Sequence, residues 1–536
     1  MARNAAWITP SPWHTQSMLL KSPLVALSAV VVGSLMLVMV GWSSTGPSTL
    51  ASGANDQVQP KVGASSNGGF FMAWFDNATG GYDVRANRFD GSGSPLWGAN
   101  GTLVADRGFS STVDYSAWVC SGDRFAVGYN DDRLGGDRIS FSLLNSTGGI
   151  LWTTTIDPLG QYVANPKVCE GADGFIYGAW FEGTAVKVQK FDATTGAAQW
   201  PTSILVKDGT ATTQPADLWP AADASGGVMV SIVRYTTFSG AKTLKAFRVS
   251  SAGALGWSAT LPGPAVVFST GSLQFGNYPP CVAVPGVGYV FCWYTSSPLQ
   301  CHVQILDTAG VAKFGVNGTP VASTSTNERV SPTFAVDATA DRIYVTWAEH
   351  VPASSNYGVG AQAFALSGTG HRAWGDSPPL ISPIVTQYST DFTGVTAGAG
   401  GATFAFQTSS AYGQDTLKSV RLNADGSTAW VDGAVQLAPP TDKGKMASVR
   451  LSGASVFVWG DGATGSVDLL AQRIGDDRTV GGNPTEPADL NGDGVVDGTD
   501  LTIVLAAWGT ADATADINDD GVVDGVDLTI ILAGWT

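Results

Sequence analysis

The chain has 536 residues, with 28 Lys and Arg against 44 Asp and Glu, and a formal net charge of −16. This balance argues against nucleic acid as a partner, because no basic field exists to neutralise phosphates. Four scattered histidines and no Cys-x-x-Cys or Cys/His spacing argue against a zinc site, and five irregularly spaced cysteines are too few for a disulfide scaffold.

The N-terminal segment is predicted to direct export. Residues 1–22 are weakly basic, and Leu24 to Trp42 form an uncharged apolar run that is long for a signal-peptide core and long enough to span a bilayer. The small residues of Gly41 to Ser44 suit a signal peptidase. Residues 1–44 are therefore a predicted signal peptide or N-terminal transmembrane anchor, with cleavage favoured, and a start at Met18 would leave an ordinary signal peptide. Either way, we expect the rest of the chain to be secreted or held at the cell surface, and to touch a membrane only through this segment if it is uncleaved.

A repeat with a period of roughly 48–60 residues fills residues 48–475. Each unit contains strands with period-2 alternation, broken by Gly/Asp turns, and ends in an aromatic residue. These terminal aromatics are Trp97, Trp152, Trp200, Trp257, Phe314, Trp374 and Trp430. Four strands per unit at this period indicate a β-propeller blade. The units resemble a repeat of secreted bacterial proteins, Trp-x-Asp-x-Arg-x-Gly-x-x-Asp before a strand, for which Tyr129 to Asp137 is the best local match.

Seven units are complete, and an eighth, with strands in Val449 to Trp459 and Leu469 to Ile474, lacks its final strand. Ser48 to Ser52 precedes the first unit just as Gly101 to Ala105 precedes the second. If this N-terminal strand completes the eighth blade, the ring closes and no sheet edge is left bare. The predicted fold is therefore mainly β, an eight-bladed propeller with seven blades as the alternative, followed by a small all-α C-terminal domain. Closure also disfavours cleavage beyond about Thr49.

The cysteines and tryptophans of the array are predicted to be structural. Cys120 and Cys169 occupy similar positions in their repeats and are expected to be small buried hydrophobic residues. Cys292 and Cys301 lie on predicted neighbouring strands, so a disulfide between them stays open. Most tryptophans recur at fixed blade positions, which favours packing between blades over sugar stacking. The central channel or a loop face is the default ligand site of a propeller.

A catalytic site in the array would need carboxylates brought together from different blades. Glu182 and Glu349 lie two residues after a strand tryptophan, and Asp76, Asp131 and Asp461 occupy the corresponding place. A pair of them can in principle do the acid/base work of a glycosidase that hydrolyses O-glycosyl bonds. Repeated carboxylates at one strand end more often accept hydrogen bonds from their own turn. We favour the structural interpretation and assign no catalytic residue.

After a polar linker, residues 476–487, two near-identical segments close the chain. Each places oxygen side chains at loop positions 1, 3, 5, 9 and 12 and glycine at position 6, which is the pattern of an EF-hand calcium loop. The predicted ligands, which include the backbone carbonyls of the two valines, are Asp489, Asn491, Asp493, Val495, Asp497 and Asp500, then Asp516, Asn518, Asp520, Val522, Asp524 and Asp527. Two calcium ions are therefore predicted. Aspartate at position 12, instead of the usual glutamate, favours a structural extracellular site of modest affinity.

Each loop leads into a short apolar helix. Leu501, Leu505 and Trp508 recur at i, i+4 and i+7 and predict one apolar stripe. Leu528, Leu532 and Trp535 repeat the same pattern in the second helix.

A calcium loop with only its exiting helix, repeated in tandem over residues 488–536, resembles a type I dockerin. The resemblance implies a calcium-folded module that docks onto a cohesin-type receptor, often on a scaffold or cell surface of polysaccharide-degrading bacteria. Loop positions 10 and 11, where the family commonly has a Ser-Thr pair, are Gly498-Thr499 and Gly525-Val526, and the usual basic residues further along the helix are absent. Recognition of a conventional cohesin therefore stays open. The uncharged face can instead pack against its twin, the neighbouring domain or another partner.

The sequence thus favours an exported, non-catalytic β-propeller that binds a glycan or protein ligand and is tethered through a calcium-dependent dockerin-like module. The alternative is a dockerin-bearing glycoside hydrolase that takes part in polysaccharide catabolism. A third possibility is a membrane-anchored surface protein in which the tail is only a structural clasp.

Overall fold

The structure, a computed structural model, describes residues 41–108, 115–133, 138–157, 160–206, 214–236, 240–274, 280–323, 325–390, 392–482, 488–490, 496–512, 514–518 and 520–535. Residues 1–40 of the predicted signal or anchor and residues 483–487 of the predicted linker lie outside the described residues. Among the described residues, no helix has both the length and the apolar character needed to cross a membrane.

Eight four-stranded antiparallel sheets form the blades of a β-propeller. The strands of the first four blades, after β1 (Ser48–Ala51), are β2 (Gln57–Ala64), β3 (Phe70–Asp76), β4 (Asp83–Phe89), β5 (Thr102–Ala105); β6 (Tyr115–Cys120), β7 (Arg124–Asp131), β8 (Arg138–Leu144), β9 (Ile150–Ile156); β10 (Val163–Glu170), β11 (Ile176–Glu182), β12 (Ala185–Phe191), β13 (Ile204–Val206); β14 (Gln214–Ala222), β15 (Gly227–Tyr235), β16 (Lys242–Ser250) and β17 (Ala265–Phe268). The remaining four blades contain β18 (Cys281–Val284), β19 (Gly288–Tyr294), β20 (Cys301–Leu306), β21 (Thr319–Pro320); β22 (Glu328–Asp337), β23 (Arg342–His350), β24 (Asn356–Ala365), β25 (Leu380–Thr386); β26 (Thr393–Gly398), β27 (Gly401–Ser409), β28 (Asp415–Asn423), β29 (Val435–Thr441); β30 (Lys443–Leu451), β31 (Ala454–Asp461) and β32 (Asp468–Gly475).

The N-terminal strand completes the last blade, which confirms eight blades. β1 pairs antiparallel with β32, with Ser48 opposite Ala471. The backbone amide of Gln57 also donates to the carbonyl of Val467 at 2.7 Å, which ties the first blade to the eighth. Joining the two ends of the chain in one sheet removes the bare edge that an open ring would expose.

The apolar core is divided among the joints between neighbouring blades. Eight clusters of buried residues each combine side chains from two successive blades, and the eighth of these joints links the last blade to the first. Strand tryptophans such as Trp74, Trp180 and Trp347 are among the largest fully buried side chains. These three tryptophans are packing residues, as predicted, since a ring buried between two sheets has no face left for a sugar.

Each joint also places the terminal aromatic of one blade on the turn of the next. Trp97 donates from Nε1 to the carbonyl of Ser146 at 2.9 Å. A Cβ added to Gly148, whose φ is +86°, would lie 2.7 Å from the Trp97 ring, so the turn needs glycine both for its backbone conformation and for space. The same contact between ring and turn glycine recurs for Trp152 with Gly196, Trp200 with Gly253, Trp257 with Gly310, Phe314 with Gly370 and Trp374 with Gly426.

Trp42 supplies the aromatic residue of the eighth blade, a role that the sequence repeat alone did not assign to it. Its Nε1 donates to the carbonyl of Gly91 at 2.8 Å, and its ring lies against Gly93. The side chain is 4% exposed and belongs to the apolar cluster between the eighth and first blades. A residue placed by sequence within a predicted signal or anchor segment is therefore part of the propeller core.

All five cysteines are buried, unpaired thiols. Cys120 and Cys169 are buried as predicted. The open disulfide between Cys292 and Cys301 does not form, although β19 and β20 are neighbours, because the register places Cys292 opposite Val303 and Cys301 opposite Tyr294. Burial raises the pKa of each thiol, so all five stay protonated at neutral pH.

The C-terminal tail contains two nine-residue helices, α1 (Gly498–Ala506) and α2 (Gly525–Ala533). They share a small core around Val504 and Ile531, both fully buried, with Val496 and Val523 from the ends of the two loops. Matched residues of the two copies of the tandem repeat form this core, so the two copies pack against each other.

Candidate functional site

The second calcium-type loop has the backbone that its sequence requires. Gly521, at loop position 6, has a φ of +92°, a conformation that side chains rarely adopt. Asp524, at position 9, caps α2 by accepting a hydrogen bond from the backbone amide of Val526 at 2.7 Å. Helix α2 then begins at position 10, so the loop runs directly into its exiting helix.

The carboxylate at position 12 holds the two ends of the loop together. Asp527 is fully buried and accepts hydrogen bonds from the backbone amides of Ile517 at 2.7 Å and Asp524 at 2.8 Å. The hydrogen bond from the Asp524 amide is the main cause that lowers the pKa of Asp527, so this carboxylate is held ionised. An ionised carboxylate buried without a cationic side chain is the state that a bound cation stabilises.

The first loop repeats this arrangement at its described residues. Asp500 is fully buried and accepts from the backbone amides of Leu490 at 2.8 Å and Asp497 at 2.9 Å. Asp497 caps α1 by accepting a hydrogen bond from the backbone amide of Thr499 at 2.7 Å. The predicted ligands Asn491, Asp493 and Val495 lie outside the described residues.

The other side chains of the second loop accept hydrogen bonds from the loop's own amides. Asp516 accepts from the backbone amides of Asp520 at 3.2 Å and Gly521 at 2.7 Å. The side-chain oxygen of Asn518 accepts from the Asp520 amide at 3.1 Å, and its amide group donates to the Asp520 carboxylate at 2.8 Å. Across the part of the chain that the structure describes, no three His, Cys, Asp or Glu side chains form a cluster that could hold a metal. The ligands of an EF-hand loop are not limited to these four residue types, because here they include the amide oxygen of Asn518 and the backbone carbonyl of Val522.

The donor set of the tail fits a hard cation. Residues 488–536 contain ten aspartates and no Lys, Arg, His or Glu, so no cationic side chain of the tail can offset the loop carboxylates. Carboxylate, amide and carbonyl oxygens are the ligands that calcium prefers. When bound, the ion would supply the positive charge that the sequence of the tail lacks.

The predicted helix stripes are only partly buried. Leu505 and Trp508 are 53% and 47% exposed, and Leu532 and Trp535 are 57% and 46% exposed. The face that packs against the twin helix instead contains Val504 and Ile531, because two short helices touch along one narrow line and bury only the side chains on it. Of the predicted stripe of the first helix, Leu501 packs against the shared core, whereas the four exposed side chains face the surroundings of the tail.

The five blade-end carboxylates, which were weighed as catalytic groups, each form an ion pair within their own blade. The pairs are Arg85 with Asp76 at 2.7 Å, Arg133 with Asp131 at 2.6 Å, Lys187 with Glu182 at 3.1 Å, Arg329 with Glu349 at 3.5 Å and Lys443 with Asp461 at 2.9 Å. In three blades the carboxylate also accepts from the indole of the tryptophan two residues earlier, as from Trp347 to Glu349 at 3.1 Å and from Trp459 to Asp461 at 2.9 Å. These contacts hold each carboxylate at the end of its strand.

The comparison with protein families places a known module at the C-terminus. Residues 487–533 match the family model described as the dockerin type I domain, and they follow the eight-bladed propeller. Domains of this family bind calcium and dock onto cohesins. None of the curated proteins matches the chain.

Among solved structures, the propeller is similar to several proteins at low identity. The Dos1 propeller is 11% identical with a TM-score of 0.48, over 80% of this chain and 94% of that one. A polysaccharide lyase of family PL25, an ulvan lyase, is 8% identical with a TM-score of 0.42, over 80% and 96%. An α-L-arabinanase from Penicillium chrysogenum is 11% identical with a TM-score of 0.38, over 60% and 98%. Likenesses at this level carry no functional argument.

Proposed function

We propose that this chain is an exported or cell-surface β-propeller that binds a glycan or protein ligand and is tethered through its calcium-dependent dockerin-like tail. The observation that carries the proposal is the duplicated loop, in which Asp500 and Asp527 make matching hydrogen bonds to the start of their loop and to the start of their helix. The domain boundaries proposed from the sequence are 48–475 for the propeller, 476–487 for the linker and 488–536 for the tail. The contacts of Trp42 and of the turn at Arg478 extend the propeller beyond both of its proposed ends.

Two calcium ions are proposed, one for each loop, held by the twelve ligands that the spacing predicts. Asp516 and Asp527 anchor the ends of the second loop, and Asp489 and Asp500 occupy the same positions in the first. The backbone amides around Asp527 keep its pKa low, so a proton competes only weakly with calcium at this ligand near neutral pH. The charge of the two ions would offset part of the repulsion among ten aspartates.

The proposed partner of the tail is a cohesin-like receptor or surface scaffold. The exposed Leu505, Trp508, Leu532 and Trp535 give the two helices an apolar contact surface, and large exposed apolar side chains of this kind mark interaction sites. The surface carries no basic residue, so its contacts would be apolar where those of the usual family members include charged groups. A receptor for this tail is therefore expected to offer an apolar groove.

Surface plasmon resonance with the full chain and an immobilised type I cohesin tests the tether. Binding in calcium that disappears in EGTA, and that Leu532→Asp abolishes, is the expected result. Val316→Asp introduces the same charge at an exposed apolar position of the propeller and serves as the matched control. Binding that is unchanged in EGTA would overturn the calcium-dependent tether.

One direct measurement distinguishes the hydrolase alternative from the proposed binding protein. Incubation of the full chain with plant and algal polysaccharides, followed by a reducing-sugar assay, would show turnover if the chain is a glycosidase. The ion pairs of the blade-end carboxylates favour the binding protein, because a general acid or base must be free to exchange a proton with the substrate.

A further inference from the structure

Three lysines lie on the innermost strands of the propeller, where neighbouring blades meet around the central channel. Lys61 is on β2 of the first blade, Lys167 on β10 of the third, and Lys445 on β30 of the eighth. These strands contact their neighbours around the ring, as β2 does with β30 and with β6. The three ammonium groups therefore come from blades that are distant in sequence and close in space.

Two of these lysines line a cavity of about 40 Å³ with aromatic walls. Lys61 and Lys167 share it with Tyr115, Trp118 and Trp219. The ammonium of Lys61 lies 5.6 Å from the centroid of the Tyr115 ring, and that of Lys167 lies 5.4 Å from the Trp219 ring. Ammonium groups beside aromatic faces form a pocket that offers both positive charge and apolar surface.

Other lysines of the chain are paired with carboxylates, but these three are not. Lys187, Lys190 and Lys443 each form an ion pair with an aspartate or glutamate. Among the described residues, no side-chain hydrogen bond or ion pair joins Lys61, Lys167 or Lys445 to another residue.

One carboxylate acts on the cluster from nearby. Asp217 raises the pKa of Lys61, but this carboxylate already accepts a hydrogen bond from the Asn165 side chain at 2.9 Å. A single engaged carboxylate leaves the cluster with an excess of positive charge inside a chain whose net charge is negative.

The positive charges of this cluster destabilise the folded chain. Burial, followed by repulsion from Lys167 and Lys445, lowers the pKa of Lys61 from its usual range to about 7. Burial and the charge of Lys167 also lower the pKa of Lys445. A bound anion would relieve both effects, because a negative charge among the ammonium groups favours their protonated form.

The blade architecture does not require lysine at this position. In the strand register, Lys61 lies opposite Ala73 and Lys167 opposite Ala179. The equivalent inner-strand residues of three other blades are Ser116, Trp219 and Thr333, which lie opposite Gly128, Ser231 and Thr346. Since serine, tryptophan and threonine fill the same place, packing alone does not account for the lysines.

We propose that this channel cavity is an anion-binding site that takes one carboxylate or sulfate group of a ligand, with Lys61, Lys167 and Lys445 around the anion and Trp219 against the ligand's apolar face. The inference rests on the proposed function, of which it names the ligand class. A cavity of about 40 Å³ has room for a small anionic group in place of a few waters, and the rest of the ligand would extend along the channel.

Titration of the full chain with sodium galacturonate and, separately, sodium sulfate tests the site, with galactose as the neutral control. Tryptophan fluorescence and calorimetry at low ionic strength and pH 6 report binding while Lys61 is protonated. We expect at least one of the two anions to bind and galactose not to bind. The two anions distinguish a carboxylated ligand from a sulfated one.

Substitution of each lysine by methionine removes the charge and keeps the length of the side chain. Lys61→Met and Lys167→Met are each expected to weaken anion binding by about tenfold or more, as the loss of a charged hydrogen-bond donor does. Lys418→Met, which removes a lysine from an outer position on β28, is the matched control and is expected to bind as the wild type does. Thermal melting establishes that each variant is folded.

Two results would overturn the anion site. One is that neither anion binds to the wild type; the other is that Lys61→Met and Lys167→Met bind as well as Lys418→Met. A second readout needs no variant: binding to the wild type should weaken from pH 6 to pH 9 as Lys61 loses its proton. Lys167 and Tyr115 line the same cavity, and the charges of Lys445 and Asp217 act on Lys61 from nearby. If a glycan array shows only neutral glycans bound, the propeller is still a binding protein and the anion site alone fails.

Discussion

The indole nitrogen of Trp42 donates a hydrogen bond to the backbone carbonyl of Gly91, at 2.8 Å, across the joint between the last and first blades. The backbone carbonyl of Trp42 accepts in turn from the amide of Gly482, at 3.1 Å. These bonds connect a residue at the edge of the predicted export segment with both ends of the repeat array. If the predicted export segment is cleaved, we expect the mature chain to keep Trp42, because loss of this residue would remove both bonds.

Substitution of Trp42 should weaken the whole propeller. Trp42→Ala removes a buried ring that lies against Phe70 and Gly93, and we expect a loss of roughly 3–5 kcal/mol in the free energy of unfolding, as for other buried tryptophans. Urea unfolding followed by circular dichroism measures it. Trp508→Ala, at an exposed position of the tail, is the control and should leave propeller stability unchanged. A chain that starts at Ser48 should resemble Trp42→Ala, and equal stability of this truncated chain and one that starts at Gly41 would contradict the role of Trp42.

The eighth blade offers a stabilising substitution. In its turn, Arg478 takes the place that glycine holds in the other blades, with a φ of +81°. Arg478→Gly should relieve this conformation and raise the free energy of unfolding by up to about 1 kcal/mol. The substitution also removes the exposed ion pair between Arg478 and Asp432, which contributes little to the free energy of unfolding. The reverse change in another turn, Gly148→Ala, is expected to destabilise, because the added Cβ would meet the Trp97 ring. A loss of stability in Arg478→Gly would contradict this explanation of the turns.

Removal of calcium should unfold the tail and leave the propeller intact. Without the ions, repulsion among the ten aspartates of residues 488–536 opposes a core of only a few buried side chains. Chymotrypsin digestion of the full chain in EGTA is expected to trim the tail to fragments and to spare the propeller. In calcium the tail should be protected, and equal protection in both conditions would show that it folds without metal.

The two proposed calcium ions are expected to bind to the two loops separately. Asp527→Asn should abolish binding at the second loop, so that calorimetry of the full chain detects one calcium ion where the wild type binds two. Asp500→Asn should do the same for the first loop. Asp512→Asn makes an equal change of charge outside both loops and is expected to keep both ions. If Asp527→Asn still binds two ions, the ligand assignment for the second loop is wrong.

The channel lysines should make stability depend on pH in a defined direction. Because the pKa of Lys61 is lowered to about 7 in the folded chain, the unfolded chain binds more protons between pH 7 and pH 10.5. The cost of the buried charge is therefore complete below pH 7 and falls as pH rises. We expect Lys61→Met to be more stable than the wild type at pH 6.5, with a difference that shrinks by pH 9.5. Lys418→Met should show no such trend.

The fold and the calcium loops were predictable because their signals are local. A strand alternates every two residues, and a calcium loop places its ligands within twelve, so both patterns are complete in a short window of sequence. Even the strand that completes the eighth blade could be predicted from the sequence, because Ser48 to Ala51 resembles its counterpart in the next repeat. The exposure of Leu505 and Leu532 was not predictable, since helical spacing does not say which part of an apolar face meets its neighbour.

By itself, the sequence determined the repeat of strands and turns, the eight blades and the dockerin-type tail, because each depends on residues that are neighbours along the chain. Only the tertiary structure decided that Trp42 closes the ring on Gly91 and that Lys61 and Lys167 line one cavity, with the charge of Lys445 acting on Lys61 from nearby. Those contacts join residues separated by tens to hundreds of positions, and ring closure alone brings them together. Charge and packing at such sites depend on distance in space, which no periodicity in the sequence encodes.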